Sequence, residues 1–136
     1  MVWLSIVVAI ITSSLATSII PIIFGPDFQQ AGKVLQIHIW SGIFLSLGIA
    51  SGRWFLAENH TLGALYKSLL GLFVNIIGNL ILIPMYGING AAFSTLIAHF
   101  SANVLYDFFD NKARVQLKYK FRAFFPLYLL NDKKRY

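Results

Sequence analysis

Apolar residues in this chain run in long uncharged blocks separated by short polar breaks. Four blocks carry no Lys, Arg, Asp or Glu: 1–24, 34–52, 68–86 and 91–106, the last running on to 109 across Asp107. At ~1.5 Å rise per helical residue, each is long enough to cross most or all of a ~30 Å hydrocarbon layer. The pattern predicts an all-α fold, an integral membrane helical bundle. Its four transmembrane helices fall at about 1–24, 34–52, 66–86 and 91–109. Residues 1–111 then form the bundle and 112–136 a basic tail, cytoplasmic or laid on the membrane surface.

The breaks carry turn chemistry. Gly25-Pro26 opens a polar turn that runs to Lys33, with Asp27 placed to cap the next helix. Pro84 weakens the end of the third span, Gly87 and Gly90 permit a tight reversal, and Ala91-Ala92 let backbones approach. Spans three and four are therefore expected to form an antiparallel hairpin. The tail is ambiguous. Val115, Leu117, Tyr119, Phe121 and Ala123 alternate with polar residues like a strand, while a helix puts Leu117, Phe121, Phe125 and Tyr128 on one face. A segment on the inner membrane surface, basic side to the headgroups, is the preferred reading, with a disordered basic tail as the alternative.

Composition supports the membrane reading. The chain is 57% apolar and only 12% charged, with a mean hydropathy of +0.69, whereas a soluble domain averages about a quarter charged. The net charge of +6 invites a nucleic-acid partner, but eight of the eleven Lys and Arg lie beyond residue 111. A cationic tail directly after a span follows the positive-inside rule, and anionic lipid headgroups are its nearest partner, so no nucleic acid is expected. This places both termini in the cytoplasm, with Arg53 and Lys67 marking the inner side. No Lys or Arg precedes the first block, which is also too long for an ordinary signal peptide and reads as a retained span. With no cysteine, a thiol nucleophile, a disulfide and a thiolate metal site are excluded.

Polar residues inside spans carry the remaining information, because hydrocarbon offers them no partner. Gly71, Asn75 and Asn79 share one face of span three. Thr95, His99, Asn103 and Asp107 share one face of span four. Two readings stay open: a cavity lined by Asn75, Asn79, His99 and Asn103, or interhelical hydrogen bonds that only hold the bundle, worth ~0.6 kcal/mol each. Asp107, about one turn from the tail, is expected to reach the interface and pair with a basic neighbour. Gln36 and Trp40 share a face of span two, with His38 well round the helix. Ala9, Ser13 and Thr17 form a small-residue ridge, and Gly48 to Gly52 is a GxxxG. The three His lack ligand spacing, and no Walker loop, GxSxG or carboxylate cluster appears. No metal, cofactor or catalytic residue is therefore expected, and the chain reads as no enzyme.

Two passages resemble a known family. Phe24-Gly25-Pro26-Asp27-Phe28, with Ala31 and Val34-Leu35-Gln36-Ile37, is similar to the FGxxF…A…vLqi passage of the polysaccharide transporter family. These are Wzx-type O-antigen flippases, in the superfamily that also holds MATE exporters and the lipid II flippase. Asn75-Ile76-Ile77-Gly78-Asn79 through Ile83-Pro84-Met85-Tyr86-Gly87-Ile88-Asn89-Gly90-Ala91-Ala92 is similar to the family's NiilNlllIPkyGixGAA, with Met85 in place of the usual basic residue. The resemblance spans about residues 20–105 and implies the last four spans of a two-lobed transporter. It implies movement of undecaprenyl-pyrophosphate-linked oligosaccharide across the bacterial inner membrane, and a missing N-terminal lobe or other membrane subunits as partners. Asn75, Asn79, His99, Asn103 and Gln36 would then hydrogen-bond sugar or phosphate, and Arg53 at the inner mouth would meet the pyrophosphate. The alternatives are part of a MATE-like exporter, or a truncated membrane scaffold without transport. A four-span drug exporter of the small multidrug resistance type is excluded, because 1–24 lacks the carboxylate it needs.

Overall fold

The computed structural model describes residues 1–124, and every element among them is helical. They are α1 (Val2–Phe24), a 3-10 turn (Pro26–Phe28), α2 (Gln29–His38), α3 (Ser41–Ala57), α4 (Thr61–Tyr86) and α5 (Ile88–Phe100). A π turn (Ser101–Leu105), α6 (Tyr106–Phe109) and α7 (Arg114–Phe124) follow. Two helices, α1 and α4, are individually long and apolar enough to cross a membrane. A third span results if Pro26–His38 and Ser41–Ala57, bent by 44°, are taken together. The fourth expected span is the unbroken helical run from α5 through the π turn to α6.

The boundaries differ from the expected ones for local reasons. The turn expected over 25–33 is confined to Gly25 and the 3-10 turn, because Gly25 reverses the chain alone with φ 99°. Asp27 makes no capping hydrogen bond there. The second span is broken at Ile39-Trp40, where three amides reach back three residues: Trp40 to Ile37, Gly42 to Ile39 and Ile43 to Trp40. A Ser-Gly pair, here Ser41-Gly42, is a usual site for such a kink. α4 starts at Thr61, several residues before the expected 66, so Lys67 lies inside the helix. Pro84 does not end α4, which continues to Tyr86.

Four serine hydroxyls in the apolar helices are satisfied by the backbone of their own helix. Ser14 donates to the Ile10 carbonyl at 2.8 Å, Ser46 to Ile43 at 2.7 Å, Ser51 to Leu47 at 3.0 Å and Ser68 to Ala64 at 3.0 Å. Such local bonds let a helix carry serine in hydrocarbon without a partner on another helix.

α5 is the hub of the bundle, packed against α2, α3 and α4, while α1 packs against α2 and α3. Small residues set the contacts. In α1 the buried ridge is Ala9 and Ala16, with Thr17 exposed rather than buried. Gly32 of α2 fits against it, where an added Cβ would stand 2.9 Å from the Ala16 carbonyl. The α4–α5 hairpin is closer still: Gly87 (φ 59°) is the sole residue between the helices, and a Cβ on Gly90 would overlap the Leu82 carbonyl. On the far side of α4 the apolar residues Phe73, Ile76, Ile77 and Leu80 are all exposed. A patch of that extent is expected to meet lipid or another protein surface.

The tail departs most from expectation. α7 is helical, so the strand-like alternation is decided in favour of the helix; Phe125 and Tyr128 of the proposed face lie outside the described residues. Gln116, Leu117 and Lys120 of α7 are buried against the bundle, while Lys118, Tyr119 and Phe121 face outward. Lys120 thus leaves the expected headgroup-facing side, because a buried carboxylate, Asp107, receives it.

Crowding at Gly90 makes a direct prediction. Gly90→Ala should destabilise the chain in detergent by about 1–3 kcal/mol, since the Cβ meets rigid backbone. Gly42→Ala, whose Cβ meets nothing within 4 Å, should be neutral or slightly stabilising. Thermal unfolding of both variants checks this, and equal melting temperatures would contradict the hairpin contact.

Candidate functional site

A groove of about 650 Å³ runs between α3, α4 and α5. Its walls include Gly48, Gly52 and Phe55 from α3, Lys67, Gly71 and Asn75 from α4, and Thr95, His99 and Asn103 from α5 and the π turn. The two polar stripes read from the sequence therefore meet along one line. They meet through hydrogen bonds as well. The Asn75 amide donates to the Thr95 hydroxyl at 3.4 Å, and the Asn79 amide donates to the Asn75 side-chain carbonyl at 3.0 Å. Ser94 donates to the Asn75 backbone carbonyl at 2.9 Å, and Thr95 to the Ala91 carbonyl at 2.9 Å.

Four of the six candidate residues lie on or beside this groove. Asn75, His99 and Asn103 line it. Asn79 reaches it through Asn75 and itself lines a smaller pocket of about 400 Å³ with Ile76, Leu80, Ile83 and Pro84. Gly48 serves Asn103, because a Cβ there would overlap the Asn103 carboxamide. Gly52, the other end of the GxxxG, faces the groove with nothing near its Cβ position.

Gln36 and Arg53 are not brought to the groove. Gln36 is exposed on α2, which turns its Gly32 side to α1, and the kink at Ile39-Trp40 separates it from α3. Arg53 is exposed on α3, while its neighbours Gly52 and Phe55 take the groove side. A long guanidinium at a span end reaches water more cheaply than it enters a bundle.

Two residues that the sequence reading gave other roles belong to the site. Lys67, read as a topology marker, is 8% exposed, lines the groove and holds its Nζ 5.6 Å from the Phe55 ring centroid. The signal was present: Lys67 extends the stripe of Gly71, Asn75 and Asn79 back by another four residues. Asp107 is fully buried rather than at the interface. It has the expected basic partner, Lys120, whose Nζ lies 2.5 Å from Oδ2. The same ammonium donates to the Asn103 backbone carbonyl in the π turn. Burial lowers the Lys120 pKa, and the Asp107 carboxylate opposes that shift.

Asp110 ties this end of the molecule together. Its Oδ2 accepts from His60 at 2.7 Å and from the Tyr106 hydroxyl at 2.9 Å; its Oδ1 accepts the Lys112 and Ala113 amides at 2.8 and 3.1 Å. One carboxylate thus joins the α3–α4 turn, α6 and the start of α7. Burial pushes this carboxyl up, but the hydrogen bonds from His60, Ala113, Tyr106 and Lys112 together hold it down at about 2. A depressed carboxylate stabilises the fold fully above its unfolded value of about 4. That contribution is lost as pH falls through about 2. Asp110→Asn should therefore lower stability by about 1–3 kcal/mol at pH 7 and flatten the acid side of the profile between pH 4 and 2. Detergent unfolding against pH measures both, and an unchanged acid limb would contradict the assignment.

Residues 1–130 match the family described as Lipid II flippase MurJ. An uncharacterised membrane protein of Methanocaldococcus jannaschii is 33% identical over 107 residues, which cover 76% of this chain and 20% of that protein. The chain spans about a fifth of the length of that relative. No solved structure matches. Since the match runs over nearly the whole length, the chain belongs to the lipid II flippase MurJ family.

Proposed function

We propose that this chain forms the C-terminal part of a flippase that carries a saccharide on a polyprenyl-pyrophosphate lipid across the plasma membrane. The groove between α3, α4 and α5 is the single feature that carries this reading: one wall polar, the other open and apolar, in a chain of this family. A headgroup travelling through hydrocarbon needs hydrogen-bond partners along its path, and Asn75, His99 and Asn103 supply them, with Asn79 orienting Asn75. Transport of this kind breaks no covalent bond, so it calls for no nucleophile.

The saccharide is either an undecaprenyl-pyrophosphate-linked oligosaccharide, as the loop motifs suggest, or the lipid II for which the family is named. Both share a pyrophosphate and a long apolar tail. Both termini face the cytoplasm in this proposal, with Gly87 at the outer surface and α7 lying along the inner leaflet, Lys118 toward anionic headgroups. Transporters with paired repeats work by moving one half against the other around a midplane site. The remaining half comes from an N-terminal lobe or from other membrane subunits, in keeping with a relative of which the matched segment is only 20%.

Complementation distinguishes the parts of this proposal. Residues 1–136 alone should not rescue a strain depleted of its lipid II flippase or its O-antigen flippase. Joined to the N-terminal portion of such a transporter, they should restore growth in the first strain or surface polysaccharide in the second. Asn103→Leu should reduce that rescue by tenfold or more, an effect of ~1.4 kcal/mol. Rescue by the chain alone would show the other lobe to be dispensable. Failure of every fusion, with normal membrane insertion, would overturn the flippase reading.

A further inference from the structure

Two lysines and one aspartate are buried at the α7 end of the groove, and their charges do not balance. Asp107 binds Lys120 through Oδ2, and its Oδ1 has no hydrogen-bond partner among the described residues. Asp110, the other carboxylate nearby, has both oxygens engaged by His60, Tyr106 and two backbone amides. Lys67 makes no hydrogen bond among the described residues, although it is more than nine-tenths buried. Taking an ammonium out of water is costly, and a cation–π contact such as that to Phe55 offsets only part of the cost. Asp107 and Lys120 both act on Lys67 electrostatically and with opposite signs. Among these three described residues one positive charge is left over, and the groove is the space it faces.

We infer that Lys67 anchors the phosphate of a lipid-linked pyrophosphate in this groove, and that Lys120 keeps Lys67 available by holding Asp107. The inference rests on the flippase reading and names the residue that meets the phosphate. An ammonium offers three donors to phosphate oxygens as a compact point charge. Gly48, Gly52 and Gly71 line the space beside it without side chains, and Leu45, Ile49 and Leu72 give the groove an apolar margin for an acyl or prenyl tail. Lys120 does not line the groove. It acts as a positioning residue: without it, the Asp107 carboxylate is left to Lys67, the other lysine that acts on it electrostatically, and neutralises the anion site.

The test measures binding to the 136-residue chain in phosphatidylcholine nanodiscs by native mass spectrometry, with undecaprenyl pyrophosphate, undecaprenol and inorganic pyrophosphate as probes. Undecaprenyl pyrophosphate should bind at least ~tenfold more tightly than undecaprenol, and Lys67→Gln should remove that difference. Lys67→Arg should keep most of it, which separates charge from folding. Lys120→Met should weaken binding several-fold, and Asp107→Asn added to Lys120→Met should restore it, a recovery that simple damage to α7 cannot produce. Undecaprenyl pyrophosphate binding untouched by Lys67→Gln would overturn the inference and leave the flippase reading standing. Inorganic pyrophosphate binding as tightly as the lipid would overturn the lipid source. Loss of binding in Lys120→Met that the double variant does not recover would overturn the role of Lys120. Absence of binding by either lipid would overturn both the inference and the flippase reading of this groove.

Discussion

α4 and α5 approach so closely that backbone meets backbone at Gly90 and Leu82, and the rest of the bundle follows from that contact. A Gly at 78 beside Ser94 and a Gly at 71 beside Ala102 continue the seam along the hairpin. With the helices this near, the Ser94 hydroxyl reaches the Asn75 carbonyl and the Thr95 hydroxyl reaches the Asn75 amide. The polar stripes are thereby turned inward, which leaves Phe73 and Ile77 on the outer side of α4. In hydrocarbon, packing and interhelical hydrogen bonds replace the hydrophobic effect as the force between helices. Small residues at the seam are the means by which both are obtained together.

The end of the bundle that carries α7 works by a different force. There the helices are joined by charge: Asp110 gathers four donors from three elements, and Asp107 draws Lys120 into the π turn. The π turn is part of this arrangement. It is an unusual element that often accompanies functional positions, and here it contains Asn103, whose carboxamide lies over Gly48 while its carbonyl accepts Lys120. The tail and the groove are thus linked through one residue, although they are distant in the sequence.

Helical class, the tight hairpin and the inward polar face of α4 were legible in the sequence, because each depends on local spacing: uncharged blocks, Gly87 and Gly90, and the four-residue repeat of Asn75 and Asn79. The kink after α2 was not legible, since Ser41-Gly42 breaks a helix only where the packing of α2 on α1 and α5 pulls the two halves apart. The place of Lys67 in the groove was not legible, because a basic residue near a span end ordinarily reaches the interface. Its burial depends on Phe55 from another helix and on a groove no local pattern reveals. Lys120 was assigned to headgroups for the same reason. Its partner lies thirteen residues earlier, and only the turn built by Asp110 returns α7 to Asp107. Gln36 and Arg53 were included as polar residues of the right kind, but the kink and the helix face put both outside the groove.

The central claim is that the stripe of Asn75, His99 and Asn103 faces water inside a transporter while the opposite side of α4 faces lipid. The chain contains no cysteine, so with a cysteine-free partner lobe a single one introduced at any position reports that position alone. Cysteines at 75, 99 and 103 should react with a water-soluble, membrane-impermeant maleimide in the assembled transporter, and those at 73 and 77 should stay unlabelled. Labelling at 73 and 77 with protection at 75, 99 and 103 would contradict the account.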